Sequence, residues 1–112
     1  MRQHTTNEQT AKLIELGFKK PNSTREMVLK GVIDGVICFA PEKAYAIGDL
    51  IEMLPKTIED ALLDDNLSIY TIFDGYQVEY SNILGETYFS FNVELIDALY
   101  EMVIKLKKEN VI

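Results

Sequence analysis

The C-terminal segment Asn92 to Ile112, NVELIDALYEMVIKLKKENVI, constrains the fold more than any other part of the chain. Leu95, Leu99, Met102, Val103 and Leu106 recur at three- and four-residue spacing, and Ile96 and Tyr100 widen the stripe. Such spacing predicts a long helix with one broad apolar face that must be buried against a second layer. Asn92 reads as its N-cap, Glu94 and Asp97 suit the positive end of the helix dipole, and Lys105, Lys107 and Lys108 suit the negative end. Asn110 reads as a left-handed stop that lets Val111 fold back on Leu106.

The residues before this helix supply the second layer. LSIYTIFDGYQVEYSN carries Asp74-Gly75, a strong signal for a two-residue hairpin turn. Read as the turn itself, the dipeptide pairs Phe73 with Tyr76, Thr71 with Val78 and Ile69 with Tyr80. Ile72, Tyr70, Gln77 and Glu79 then share the opposite face. The first face carries more apolar bulk and should cover the core. A turn around Asn82 to Gly85 leads into ETYFSFN, where Thr87, Phe89 and Phe91 alternate with Tyr88 and Ser90. This predicts a three-stranded antiparallel meander that runs straight into the last helix.

Towards the N-terminus, residues 1–6 read as a frayed start, and Asn7 as the cap of a short amphipathic helix carrying Ala11, Leu13, Ile14 and Leu16. Gly17 is its natural stop, and Pro21 forbids continuation. KKPNSTR (19–25) reads as a solvated loop. In MVLKGVIDGVICF, Asp34-Gly35 between β-branched runs predicts another hairpin, pairing Ile33 with Val36 and Val32 with Ile37. Cys38 reads there as a small buried hydrophobe. A second short helix follows in AYAIGDLIEMLP, with Ala46 or Gly48 as cap, Tyr45 stapled on Leu50, and Pro55 as terminator. Thr57 with Asp60 fits a capping box, and Ile58, Ala61 and Leu62 share one face of a short helix. A loop or an irregular strand competes closely for this stretch.

Composition narrows the chemistry. The chain has 112 residues, 47% of them hydrophobic, which suits one globular domain over 1–112 with a real core. No apolar run approaches the roughly 20 residues of a membrane-spanning helix. The polar N-terminus and the lone Cys38 lead to the expectation of a cytoplasmic protein without disulfides. A net charge of −7 disfavours direct nucleic-acid binding. His4 is the one histidine, in the polar tail, so histidine-based catalytic or metal constellations cannot be assembled. Asp60, Asp64 and Asp65 lack the alternation of a calcium loop. No glycine-rich phosphate loop or dinucleotide fingerprint occurs. The expectation is a non-enzyme with no cofactor.

The aromatics of the meander invite comparison with RNA-stacking sheets. Those sheets interleave Lys or Arg with the rings, and none occurs between Leu67 and Phe91. A protein-binding surface suits amphipathic tyrosines better, which makes Tyr70, Tyr76, Glu79, Tyr80 and Tyr88 the candidate binding residues.

TAKLIELGFKKP (10–21), YAIGDLIEMLP (45–55) and LIDALYEMVIKLKKENVI (95–112), in that order, resemble a group of small proteins of temperate phages and prophages of gut bacteria. The group has no established activity, so the resemblance carries over no functional residue. It implies a bacterial cytoplasm and an accessory role. In similar sequences a capping serine or threonine is expected where Ala46 stands.

The expected architecture is α+β: an antiparallel sheet, from the meander with the first hairpin as a candidate addition, packed by the long C-terminal helix and two shorter ones. The expected function is a protein-interaction module with an unidentified protein partner. A second expectation is an acidic nucleic-acid mimic, which needs the carboxylates of 52–65 and the hairpin on one face. A third is a small enzyme or ligand binder, whose sign would be a deep pocket holding a carboxylate of raised pKa. A homodimer is expected if the C-terminal stripe is wider than one sheet can cover.

Overall fold

The computed structural model describes residues 1–59 and 63–112, with three helices and six antiparallel strands in two sheets. In chain order these are α1 (Asn7–Glu15), β1 (Thr24–Ile33), β2 (Val36–Lys43), α2 (Ile47–Met53), β3 (Thr57–Ile58), β4 (Asp65–Ile72), β5 (Gly75–Asn82), β6 (Gly85–Asn92) and α3 (Leu95–Lys108). The fold is α+β. β3, β4, β5 and β6 form a four-stranded sheet in that order, and β1 pairs only with β2. The first hairpin therefore stands apart as its own two-stranded sheet and does not extend the meander.

α3 packs across β5 and β6 and also meets α2. Ile96, Ala98, Leu99, Met102, Val103 and Leu106 are buried from α3, against Val78 and Tyr80 of β5, Leu13 of α1, and Tyr45, Leu50 and Leu54 in and around α2. Leu95, Tyr100 and Ile104 pack partly buried against the same cluster, so the whole stripe is covered by its own chain. Ser90 Oγ donates to Ala98 O at 2.6 Å and ties β6 to the helix. At the C-terminus Asn110 adopts φ +57°, and Val111 N donates to Leu106 O at 2.9 Å, the closure expected from the sequence. α1 ends in the same way, with Gly17 at φ +96° and Phe18 N donating to Leu13 O.

The helix starts differ from expectation by small steps. α1 is capped by Thr6, not Asn7: Thr6 Oγ1 accepts from Gln9 N while Gln9 Oε1 accepts from Thr6 N. That reciprocal pair satisfies two donors at once. α3 starts at Leu95, because Asn92 still belongs to β6, where its Oδ1 accepts from Glu94 N. Ala46 is the N-cap of α2 without a side-chain acceptor. Asp49 Oδ2 covers the deficit in part by accepting from Ala46 N at 2.7 Å and from Ser23 Oγ at 2.7 Å.

The N-terminal residues are not frayed. Thr5 is fully buried, its N donates to Tyr45 O, and His4 bridges Ala46. Arg2 forms an ion pair with Asp97, and its backbone N donates to Glu94 Oε2. A carboxylate at the start of α3 captures the tail, an interaction 95 residues distant in sequence and so outside the reach of local pattern. Residues 57–58 are a short strand paired with Asn66 and Asp65, not the start of a helix; Asp60, Ala61 and Leu62 lie outside the described residues.

Candidate functional site: the uncovered sheet face

Side-chain alternation divides the meander into two faces. Tyr76, Val78 and Tyr80 of β5 face α3, with Leu67, Ile69 and Thr71 of β4 and Tyr88, Ser90 and Asn92 of β6 as cross-strand partners. The other face carries Tyr70 and Ile72 of β4, Gln77 and Glu79 of β5, and Phe89 and Phe91 of β6. Among the described residues no helix packs on it. The candidate binding residues are therefore split. Tyr70 and Glu79 lie on the uncovered face, whereas Tyr76 and Tyr88 point to the helix side and are half-buried.

Tyr80 needs a correction. It is fully buried, its hydroxyl donates to Pro55 O at 2.6 Å, and burial pushes its pKa up. Its polar end is satisfied inside the fold, so it is a core residue and offers no surface to a partner.

The register of this hairpin also departs from expectation. Ile72 pairs with Gly75, Thr71 with Tyr76 and Ile69 with Val78, so Phe73 and Asp74 make the turn. Phe73 adopts φ +52° and is 93% exposed. Gly75 lies in the strand, where a Cβ would come within 2.7 Å of Asn92 O and 2.8 Å of the Phe91 ring. Close approach of β6, not turn geometry, is what requires glycine here. The slip is even-numbered, so the assignment of side chains to faces survives it.

On the uncovered face, Gln77 Nε2 donates to Glu79 Oε2 at 3.3 Å and to Glu86 Oε2 at 3.2 Å, drawing the two carboxylates together. Hydrogen bonding to Glu79, then partial desolvation and the Glu79 charge, raise the Glu86 pKa. Desolvation, followed by hydrogen bonding to Glu79 and the charges of Glu79 and Glu86, raises that of Tyr70. Lys105 reaches the sheet edge from α3: its ammonium lies 5.3 Å from the Phe89 ring centroid and donates to Phe89 O. The result is an aromatic strip of Tyr70, Phe89 and Phe91 beside an acidic pair.

No protein-family model, curated protein or solved structure matches the chain.

Other features do not converge on a second site of comparable definition. A cleft of about 270 Å³ lies between the loop after α1 and α2, lined by Phe18, Lys19, Tyr45, Asp49, Glu52 and Met53 among others. Glu86, the carboxylate with raised pKa, is not in it, so the two signs of a small-molecule site fall in different places. Asp65 is buried and accepts from Asn82 Nδ2 at 2.6 Å, which removes it from any surface row of carboxylates. No helix among the described residues is long and apolar enough to cross a membrane.

Phe89, Phe91, Gln77 and Glu86 escaped the sequence reading of the site. Counting alternation outward from Glu79 would have found the phenylalanines, because β6 presents Phe89 directly opposite Glu79 and Phe91 opposite Gln77. Glu86 lies beyond a register shift between Tyr80 and Ser81, which no simple alternation locates.

Proposed function

We propose that this protein is a non-enzymatic interaction module whose uncovered sheet face docks on another protein. One observation carries the reading: a sheet face with Tyr70, Phe89 and Phe91 exposed and, among the described residues, no helix packed upon it. Aromatic residues at the centre of a patch, with charged groups beside them, are the composition of a protein interface core and its rim. Glu79 and Glu86, together with the net charge of −7, suit a partner that brings Arg or Lys to the rim of an apolar centre. A bacterial or phage protein as that partner would accord with the resemblance of this sequence to prophage proteins.

The acidic-mimic reading draws less support, because Asp65 is turned inward. The test is affinity capture from bacterial lysate at low and high salt, with wild-type protein and with a Tyr70→Ala/Phe89→Ala variant in parallel. A specific partner that resists salt with the wild type and is lost with the variant supports the reading. A partner retained equally by both places the interface elsewhere and contradicts it.

A further inference from the structure

The β1–β2 hairpin stands apart from the other elements as its own two-stranded sheet. It accounts for much of the longest dimension, 65 Å, since ten strand residues span roughly 33 Å. Its base is clamped: Arg25 pairs with Glu42 and donates to Asn7 Oδ1 and Thr5 O, and Ala44 N donates to Ser23 O. Beyond the base, its strands contact each other and little else.

Its register sorts the side chains. Met27 opposes Pro41, Leu29 opposes Phe39, and Val32 opposes Ile37. Strict alternation would put Val32 on the other face from Leu29. A register shift between Leu29 and Gly31 leaves Lys30 as the extra residue, and the bulge brings Val32 back into line. Gly31 sits at φ +146° in that bulge, a conformation other side chains resist. One face thus collects six apolar residues, with Lys43 beside Thr24 at its base end. Met27, Leu29, Val32, Ile37 and Phe39 are each between 57% and 64% exposed on it.

We propose that this face packs against the same face of a second copy of the chain, forming a twofold symmetric dimer through the arms. Two quantities favour a second copy as the occupant. The first is area. Six such side chains offer roughly 600 Å² per copy, so two copies bury about 1,200 Å², the lower bound of a specific interface. A monomer rarely leaves a contiguous apolar patch of that size open.

The second quantity is charge. Between Thr24 and Lys43 the cations Arg25, Lys30 and Lys43 cancel Glu26, Asp34 and Glu42, so all of the net −7 resides on the body. Neutral arms meet without repulsion. Antiparallel arms also hold the two acidic bodies at opposite ends, farther apart than the screening length of about 8 Å at physiological salt. An anionic lipid surface would instead be repelled by the body. This interface is separate from the meander face and does not depend on the function proposed for that face.

The test is sedimentation of the full chain over a range of concentrations, for the wild type, a Leu29→Lys/Phe39→Glu variant and an Ile37→Lys variant. The double variant replaces a directly opposed apolar pair by opposite charges, which keeps the hairpin paired while ending its apolar continuity. The expected result is a wild-type species of twice 12.8 kDa, with dimerisation weakened at least about thirty-fold in both variants. Thermal melting of the body should be unchanged. A wild type that stays monomeric at every concentration overturns the proposal, including one that binds anionic vesicles through the arm. Variants that dimerise as tightly as the wild type overturn it too.

Discussion

The body and the arm are made of the same kind of sequence and meet opposite fates. In the body, each apolar residue of the α3 stripe is buried or half-buried by the sheet, α1 and α2. In the arm, residues of equal hydrophobicity stand in solvent on a ribbon that no helix among the described residues covers. Both hairpins carry an Asp-Gly dipeptide between β-branched and aromatic residues. The dipeptide is the turn itself in the arm and the junction of turn and strand in the body, yet a hairpin forms at both; the neighbouring elements determine whether its apolar face is spent inside the chain or left for another. A two-stranded ribbon is marginal alone, so the arm's order depends on its clamped base and on what covers it.

The largest difference between the regions should appear in core truncation. Leu99→Ala opens a cavity beneath the sheet and is expected to cost about 2–5 kcal/mol in denaturant unfolding. Val32→Ala on the arm should leave the same transition within roughly 0.5 kcal/mol. A comparable loss from both would mean that arm and body unfold as one cooperative unit.

The two Asp-Gly glycines sharpen the contrast. Gly75→Ala forces a Cβ against Asn92 O, a backbone atom that cannot swing away, and about 1–3 kcal/mol should be lost from the global transition. Gly35→Ala meets no neighbour and suffers only from φ +78°, so its cost of order 1 kcal/mol should fall on the arm alone. Chemical shifts or exchange of the arm amides, read beside the global melt, separate the two outcomes.

Capping gives a smaller pair. Thr6→Ala removes the side-chain half of a reciprocal cap, leaving Thr6 N to Gln9 Oε1 in place, and should destabilise by about 1 kcal/mol, while Ala46→Ser supplies a missing acceptor and should gain roughly 0.5–1 kcal/mol. Thermal melts of the two variants should move in opposite directions.

The smallest effect belongs to Glu86. Its raised folded pKa means that the native chain binds more protons than the unfolded chain just above pH 4.5. The stabilising contribution is full below that pH and fades as pH rises through the folded value. Glu86→Gln should flatten this segment of the stability–pH curve, and an unaltered curve would show that the carboxylate pair is not coupled.

Where local chemistry decided the outcome, the sequence was readable. The α3 stripe, its Asn110 stop, the Gly17 stop, the α+β class and the Asp34-Gly35 register all follow from spacing and turn residues. Where a distant contact decided, it was not. Phe91 and Asn92 of β6 reassign Gly75 from turn to strand, and Asp97 captures Arg2 from the far end of the chain. Cys38 illustrates the same limit. Its apolar run looks like core, yet it lies half-exposed on the arm, because nothing local tells a strand whether a helix will cover it. Tyr80 is the converse, a tyrosine in an alternating strand whose Pro55 partner took it out of the candidate surface.

The claim that the arm is completed from outside its own chain is tested most directly by hydrogen exchange at two protein concentrations. Amides of β1 and β2 should exchange quickly in dilute protein and slow markedly when it is concentrated, while those of α3 remain protected throughout. Arm amides as protected as α3 at the lowest concentration, with no dependence on dilution, would show that the chain stabilises its own arm and would contradict the account.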